Sequence, residues 1–399
     1  MHFRQLTRPL LSAGIAVLLA LPAIAAEPLE AQKSQETRGV WLDKAELLEG
    51  EQALGQRLDR LARAGFNTIY VAVQVRGAVI YPDSAILPQY EPAWALRPDY
   101  LTFVIDACHA RGLRVEAWTE FGFYAYWTKD AAADQSRGVI LDRHPELAAV
   151  DKDGEALIHN PQYGDFYALC PANPRAQEVL IELYTEMLTR FRFDGLHLDR
   201  VRFPSADFCH CDYCRDHFRR DVGIPLDRAT TNGASEKERS LLDAWRKQQT
   251  NAFVHHMADV VRTKFPGRRL TSAVVPPAMI DEKGQDWPAW VERGWVDSVT
   301  VMLYAQHIED ALAWIHHRLP ADAPVNIGVD ASSGATHVAE QIQQARDASF
   351  PGVAVWYSRT VDPLLPDIAK GVFASAGTAP NTAPAEHASS DGAKDSKQP

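Results

Sequence analysis

This sequence lacks several features, and each absence excludes a class of protein. No concentrated cluster of lysine and arginine offsets a formal net charge of -11, which argues against nucleic acid or an anionic lipid surface as the partner. No glycine-rich phosphate loop follows a candidate strand, so a nucleotide-binding doubly wound sheet lacks its main signature. The apolar run near the N-terminus falls short of the roughly 20 residues that cross a bilayer.

That apolar run fits a cleaved export signal. Arg4 and Arg8 precede it, residues 10–21 form its apolar centre, and the small residues 23–25 supply a cleavage site after Pro22. We therefore predict a signal peptide over residues 1–25. No cysteine follows the run to carry a lipid, so we expect a periplasmic or secreted protein with no stable membrane insertion after cleavage.

The opposite end has a different composition. Residues 377–399 are rich in alanine, proline, serine and charge, and such a segment cannot bury a core. We predict a disordered tail there and one folded domain over residues 36–376.

Between these ends, short apolar segments alternate with helical patterns. The predicted strands cover residues 38–43, 67–76, 114–120, 194–199, 270–275, 297–304, 325–330 and 352–358. Gly65, Gly112 and Gly267 follow three of the intervening helical patterns, at positions where helices commonly end. Eight strand–helix units predict an α/β fold, a (β/α)8 TIM barrel, with an open doubly wound sheet as the alternative.

Alternation within the strands predicts where the active site lies. Successive side chains of a strand point to opposite faces. In each predicted strand, one alternate set of residues is apolar and suits the face toward the helices, whereas the other set, which we call the inward parity, includes charged and aromatic residues near the strand end. In a parallel barrel the C-terminal ends of the strands converge on one mouth, where catalytic groups lie. The candidate substrate-binding residues are Asp43, Gln74, Arg76, Trp118, His197, Arg202, Tyr304, Asp330 and Trp356.

Two long insertions are expected on the same face of the barrel. The segments after Glu120 and after Asp199 are too long for ordinary strand–helix loops, and such loops usually shape a binding groove. The first contains Phe121, Phe123, Tyr124, Tyr126 and Trp127, whose rings offer flat apolar faces for stacking on sugars.

Asp199 is the candidate for the central catalytic carboxylate. It ends a predicted strand beside Arg200 and Arg202, whose charges favour an ionised carboxylate. Such a group suits a nucleophile or a stabiliser of a positively charged sugar transition state, although a structural ion pair is the alternative. His197, two residues earlier, either binds a sugar hydroxyl or fills the barrel interior.

Six ordered segments give a specific resemblance. They are "ETRGVWLD", "GFNTIYVAVQVRGAVIYPDS", "LRVEAWTEFGF", "HPELAAVDKDG", "ALCPANPRAQEV" and "FDGLHLDRVRFP". Together they resemble the motifs of the glycosyl-hydrolase-like 10 family over roughly residues 36–360. The resemblance implies a (β/α)8 barrel and a secreted glycoside hydrolase of the bacterial envelope, and one branch is associated with cleaving peptidoglycan glycan strands stripped of their peptides.

The second catalytic carboxyl is less clear from the sequence. Residues 194–199 also resemble the nucleophile motif of the alpha-amylase clan, with His197 replacing an arginine, but the clan's acid has no match in "LTSAVVPPAM". The chitinase-type motif would place its acid at Val201. We prefer Glu120 as the acid, because it is inward by parity and beside apolar groups that raise a carboxyl pKa. Glu116, Asp330 and Asp43 are its rivals.

Three of the five cysteines are closely spaced. Cys209, Cys211 and Cys214 can hold a structural zinc ion, with Cys170, His210 or His217 as the fourth ligand. A disulfide competes in an oxidising compartment, and free thiols are a third possibility. An odd number of cysteines leaves at least one unpaired if all bonds are internal, and Cys108 is expected in the core.

These observations together predict a glycoside hydrolase that acts on a polysaccharide, by retention or inversion, and needs no organic cofactor. A catalytically inactive carbohydrate-binding barrel is the alternative. A metal-dependent deacetylase is disfavoured, since His197 and Asp199 have no His-x-x-x-His companion.

Overall fold

The structure is a computed structural model that describes residues 36–161, 163–371 and 373. The predicted signal peptide and the predicted tail lie outside these residues. Within the described part, no helix has both the length and the apolar character needed to cross a bilayer.

Eight parallel strands close into a barrel, which confirms the predicted fold. The described residues form thirteen strands: β1 (Thr37–Leu42), β2 (Thr68–Ala72), β3 (Gln74–Val75), β4 (Ala78–Val79), β5 (Arg114–Thr119), β6 (Tyr124–Thr128), β7 (Ile158–Asn160), β8 (Gly164–Ala168), β9 (Gly195–Leu198), β10 (Arg269–Val274), β11 (Ser298–Met302), β12 (Val325–Asp330) and β13 (Gly352–Trp356). The ring runs β1, β2, β5, β9, β10, β11, β12, β13 and back to β1. Their C-terminal ends therefore share one face.

Helices surround the ring and fill the connections. The α-helices are Lys44–Leu47, Glu51–Arg63, Tyr100–His109, Val139–Arg143, Pro174–Arg190, Asp212–Val222, Leu226–Thr230, Glu236–Lys264, Ile280–Lys283, Trp287–Glu292, Glu309–Arg318, Ala335–Asp347, Ser358–Val361 and Leu365–Lys370. Short 3-10 segments are Glu91–Ala95, Pro145–Leu147, Pro277–Met279, Ala331–Ser333 and Asp362–Leu364. The longest helix, Glu236–Lys264, begins at a capping box in which Ser235 and Glu238 satisfy each other's backbone N–H groups.

The predicted strand over residues 67–76 is in fact two elements. The barrel strand β2 ends at Ala72, and Gln74–Val75 pairs antiparallel with Ala78–Val79. Arg76 (φ 49°) and Gly77 (φ 82°) form the turn between them. Alternation alone did not reveal the break at Val73, because residues 68–75 are all buried.

The inward parity fills the barrel with large side chains. Tyr70 stacks on His197 with 3.9 Å between ring centroids, and Trp41 packs against both rings. Gly39 makes room for this layer, since a Cβ there would lie 2.8 Å from the Tyr70 ring. The outward parity is buried against the helices and forms the main apolar core.

The two insertions have their own structure above the ring. The first folds into a three-stranded antiparallel sheet in the order β6, β8, β7, and the second carries the helices Asp212–Val222 and Leu226–Thr230. They share a small buried cluster separate from the main core, which we name the cysteine-centred core. It consists of Ala149, Ala168, Cys170, Ala172, Phe203, Phe208, Cys209, Cys211, Cys214, Phe218, Leu226, Ala229, Leu242 and Trp245.

Candidate active site at the mouth of the barrel

A cavity of about 620 Å³ lies at the C-terminal ends of the barrel strands. Its lining combines strand-end residues with residues of both insertions. The lining residues are Lys44, Arg76, Trp118, Glu120, Phe121, Tyr124, Trp127, Ile158, His159, Asn160, Tyr163, Phe166, Asp199, Arg200, Arg202, Pro204, Lys283, Met302, Tyr304 and Trp356. Seven of the eleven residues predicted for catalysis or substrate contact therefore share one cavity: Asp199, Glu120, Arg202, Arg76, Trp118, Tyr304 and Trp356.

Asp199 follows β9 directly and is held by three donors. Its Oδ2 accepts a hydrogen bond from Trp118 Nε1 (3.2 Å), and its Oδ1 accepts from the Arg200 backbone N–H (2.6 Å) and from Arg202 Nη1 (3.5 Å). Gly122 allows the first insertion to approach, since a Cβ there would lie 2.0 Å from the Asp199 carbonyl oxygen. The carboxylate is thus fixed at the cavity and accepts hydrogen bonds on both oxygens.

Glu120 follows β5, the barrel strand next to β9, and reaches the same cavity. Burial raises the pKa of its carboxyl, while Lys44 and Arg200 act in the opposite direction. The Lys44 ammonium lies 3.5 Å from Glu120 Oε2 and 2.8 Å from Asp43 Oδ1. A carboxyl with a raised pKa retains its proton to higher pH, which suits a general acid.

The rival acids lie outside the cavity lining. Glu116 is only 1% exposed and accepts a hydrogen bond from the Thr271 hydroxyl deep in the barrel. Both oxygens of Asp330 accept hydrogen bonds from Ser332, and Asp43 caps the helix Lys44–Leu47. These positions favour Glu120 as the partner of Asp199.

His197 is not among the residues that reach the cavity. Its ring is 0% exposed, its Nε2 accepts from Trp41 Nε1 (3.1 Å), and its Nδ1 donates to Thr271 Oγ1 (2.7 Å). Burial lowers the pKa of His197 to about 3, so the ring is neutral. The structure therefore gives His197 no free nitrogen for a sugar and places it in the barrel interior.

Gln74 is also engaged within the protein. Its amide donates to the Gly122 carbonyl (3.2 Å), and its side-chain oxygen accepts from the Tyr184 hydroxyl (3.0 Å). Together with Asp43 and Asp330, it is a predicted contact residue that the cavity lining does not include. With His197, these are the four predicted residues that the lining does not include.

Aromatic side chains form the walls of the cavity. The Arg76 guanidinium lies 3.7 Å from the centroid of the Trp127 ring, and Trp118 packs edge-on against Trp356. Tyr304 and Tyr163 remain 38% and 61% exposed, so their rings are available to a ligand. Exposed rings in a polar cavity are typical of sugar binding.

Cations outnumber carboxylates in the lining. Five basic side chains face two acidic ones, Glu120 and Asp199, although the whole chain is acidic. The basic residues are Lys44, Arg76, Arg200, Arg202 and Lys283. Arg200 lies over the rings of Phe121 and Tyr124, and its buried Nη1 has no hydrogen-bond partner within the described residues. The cavity thus favours an anionic ligand.

Sequence reasoning missed several of these residues. Lys44 comes from the helix after β1, Lys283 from the segment after β10, and Tyr163 and Phe166 from the sheet of the first insertion. Only Lys44 had a local signal, because it follows the predicted mouth residue Asp43. Lys283, Tyr163 and Phe166 reach the cavity only because the segments that connect the barrel strands fold back over the mouth.

The predicted cysteine knuckle has a fourth member. Sγ atoms of Cys170, Cys209, Cys211 and Cys214 lie within 4.8 Å of one another, and this cluster could bind a metal ion. His210 instead contacts Asp227, and His217 stacks on Tyr213. Of the three candidates for the fourth ligand, the structure therefore brings Cys170 to the cluster.

A second cleft, of about 740 Å³, lies along the helix Glu236–Lys264 on the outside of the barrel. Its lining contains none of the predicted site residues. We therefore take the mouth as the candidate active site.

A closed parallel barrel with two carboxyls at its C-terminal mouth has the architecture of TIM-barrel glycoside hydrolases. The glycosyl hydrolase-like 10 model matches residues 36–327, and the chain belongs to this family. Membership in this family confirms the resemblance inferred from the six sequence segments.

Related proteins and structures agree with this assignment. The glycosyl hydrolase DigH of Escherichia coli (strain K12) is 23% identical over 312 residues, covering 68% of this chain and 66% of that protein. The chain thus spans about two thirds of the length of these curated relatives.

Among solved structures, the PgaB (BpsB) glycoside hydrolase domain of Bordetella bronchiseptica has a TM-score of 0.65 at 16% identity, covering 85% of this chain and 99% of that one. The catalytic domain of the Paenibacillus polymyxa beta-amylase has a TM-score of 0.62 at 12% identity, covering 86% of this chain and 99% of that one. At these identities the likeness shows the fold.

Proposed function

We propose that this protein is a secreted glycoside hydrolase of the bacterial envelope that cleaves peptidoglycan glycan strands stripped of their peptides. Asp199 serves as nucleophile or transition-state stabiliser, and Glu120 serves as the general acid. The main observation behind the proposal is that the carboxyl groups of Asp199 and Glu120 line the same cavity but have different surroundings. Asp199 is surrounded by three donors, whereas burial raises the pKa of Glu120.

The charge of the cavity supports this choice of glycan. Removal of the peptides leaves a free lactyl carboxylate on each muramic acid residue, so the strand carries negative charge at regular intervals. Chitin oligomers and alpha-glucans carry no such charge. The excess of basic residues in the lining offers binding partners for a carboxylate.

Export belongs to the same proposal. The signal peptide predicted over residues 1–25 supports export to the periplasm or out of the cell, where these strands are found.

Substrate choice is tested with the purified protein that begins after the predicted cleavage site. Peptide-free glycan strands, chitin oligomers and alpha-glucans are each incubated with it, and the products are analysed by mass spectrometry. Shortened strands from the first substrate alone support the proposal. Turnover of a neutral glucan in place of the glycan strands would overturn the substrate assignment.

The catalytic assignment is tested with Asp199→Asn, which keeps the shape of the side chain. We expect turnover to fall on the order of 10³-fold while glycan binding is retained. Asp330→Asn is the matched control, because Asp330 is a mouth-rim aspartate outside the cavity lining. Equal activity in both variants would remove Asp199 from the mechanism.

An inactive carbohydrate-binding barrel is the second candidate, and one contact favours it. The Lys44 ammonium, 3.5 Å from Glu120 Oε2, stabilises the charged form of that carboxyl, which cannot donate a proton. Binding of glycan strands with no detectable cleavage by the wild-type protein would select this function.

A further inference from the structure

The four cysteines of the cysteine-centred core come from both insertions. Cys170 lies just beyond β8, Cys209 and Cys211 lie in the loop that follows the barrel strand β9, and Cys214 lies in the first turn of the helix Asp212–Val222. All four side chains are buried, and none forms a disulfide. The cluster therefore joins Cys170 to cysteines that lie 39–44 positions later in the sequence.

The spacing of the sulfur atoms fits a tetrahedral ion. Ligands at about 2.3 Å from a central zinc ion lie roughly 3.8 Å from each other. Cys170 Sγ lies 3.4 Å from Cys214 Sγ and 3.6 Å from Cys211 Sγ, and all pairs lie within 4.8 Å. Because every pair is close, the arrangement does not single out any two cysteines as disulfide partners.

The surroundings also suit a negatively charged tetrathiolate centre. The Cys211 backbone N–H donates to Cys209 Sγ (3.4 Å), a contact that stabilises charge on sulfur. Arg246 is buried nearby and donates to the Ala206 carbonyl (2.9 Å). Its guanidinium lies over the ring of Phe203, another member of the cysteine-centred core, 5.4 Å from the ring centroid.

The cluster holds together the wall of the mouth cavity. The sheet β6–β8–β7 carries His159, Asn160, Tyr163 and Phe166 into the cavity, and Cys170 directly follows this sheet. The helix Asp212–Val222 contacts the first insertion through the cysteine-centred core and through a hydrogen bond from Arg215 Nη2 to the Lys152 carbonyl (3.2 Å). A cross-link between the two would therefore order this wall.

We propose that Cys170, Cys209, Cys211 and Cys214 bind one structural zinc ion that joins the two insertions and orders the cavity wall. Four thiolates in a closed, dry site leave no open position for water, which excludes a catalytic role for the ion. Zinc is chosen over harder ions because soft thiolate ligands select zinc, copper(I) or iron.

Metal content of the wild-type protein is the primary test. The protein is purified under reducing conditions, incubated with zinc, desalted and measured by inductively coupled plasma mass spectrometry. We expect one zinc per chain in the wild type and in Cys108→Ser, a matched control because Cys108 is a buried free cysteine outside the cluster. Cys214→Ser should lose the zinc.

Cobalt substitution tests the ligand set without any variant. Wild-type protein stripped of metal and refilled with cobalt should show the intense visible and near-ultraviolet absorption of tetrahedral thiolate coordination. Hydrogen exchange should then be faster after metal removal in residues 158–168 and 209–222, with the barrel strands unchanged. Because these two measurements use the wild-type protein, they test the metal site even if Cys214→Ser fails to fold.

Three results would overturn the proposal. They are iron or copper in place of zinc, no metal retained by reduced wild-type protein, or an intact mass showing two disulfides in protein purified without reductant. None of these readouts depends on glycan turnover, so the zinc site and the proposed hydrolase activity succeed or fail separately.

Discussion

The barrel core and the cysteine-centred core are stabilised in different ways. The barrel closes on itself, so its eight strands leave no unpaired edge and its outward face is buried under helices. The cysteine-centred core is small, lies between two insertions, and includes four thiols within 4.8 Å of one another. A large core can rely on apolar burial, whereas a small one gains more from a cross-link such as the proposed zinc ion.

The two regions also contribute differently to the mouth cavity. Strand ends of the barrel supply Asp199, Glu120 and Trp356, whereas the sheet of the first insertion supplies Tyr163 and Phe166. Under the proposed function, the barrel would supply the catalytic carboxyls and the insertions a large part of the substrate contacts.

The largest effect is expected when the proposed general acid, Glu120, is replaced. Glu120→Gln should lower kcat by about 10²- to 10⁴-fold with little change in the free energy of unfolding. A general acid must carry its proton, so wild-type activity should fall as pH rises through the raised pKa of Glu120, and the variant should lack this decline. The pH–rate profile on peptide-free glycan strands measures both the fall in kcat and the loss of the alkaline decline.

The variant Lys44→Met tests whether Glu120 is the group responsible for the alkaline decline. Because the Lys44 cation acts against the burial of Glu120, its loss should move the alkaline decline of activity to higher pH. An unchanged profile in both variants would mean that another group donates the proton.

A matched pair of leucines tests the separation of the two cores. Leu196→Ala, on the outward face of β9, should destabilise the whole protein by about 2–5 kcal/mol. Leu242→Ala, in the cysteine-centred core, should chiefly accelerate hydrogen exchange in the two insertions. Thermal unfolding and peptide-level exchange distinguish the two outcomes.

The helix Glu236–Lys264 contributes to both cores, so it could couple their unfolding. It contributes Leu242 and Trp245 to the cysteine-centred core and Phe253 to the main core. If Leu242→Ala lowers the global stability as much as Leu196→Ala does, the two regions unfold as one unit.

The smallest effect is expected from an exposed ring of the insertion wall. Tyr163→Ala should raise KM roughly 2- to 10-fold and leave kcat nearly unchanged, since an aromatic contact contributes about 0.5–1.5 kcal/mol. Trp94→Ala is the control, because Trp94 is 65% exposed but lies outside the cavity lining. A fall in kcat for Tyr163→Ala would assign part of the chemistry to the insertion.

Much of the barrel was predictable from local pattern. The period-two alternation predicted the eight barrel strands to within a few residues, and it placed Glu120 and Asp199 on the inward parity of two strands that the structure shows to be neighbours. It also overextended the second strand, because residues 68–75 are buried without interruption although β2 ends at Ala72. Parity gives the direction of a side chain but not its depth, and this is why His197 was grouped with the mouth.

The insertions were less accessible to sequence reasoning. Their length and aromatic content indicated a binding wall, but the sheet formed by β6, β7 and β8 was not predicted. The contributions of Tyr163, Phe166 and Lys283 depend on how these irregular segments fold back over the ring. No periodic signal encodes such a path.

By itself, the sequence determined the alternation of strands and helices, the inward parity of the catalytic candidates and the close spacing of Cys209, Cys211 and Cys214, all of which are local properties of the chain. The tertiary structure alone decided that Cys170 completes the cluster, that Lys44 faces Glu120 and that His197 lies beneath the mouth. These contacts join residues 39–156 positions apart. They exist only because the ring closes and the insertions pack above it.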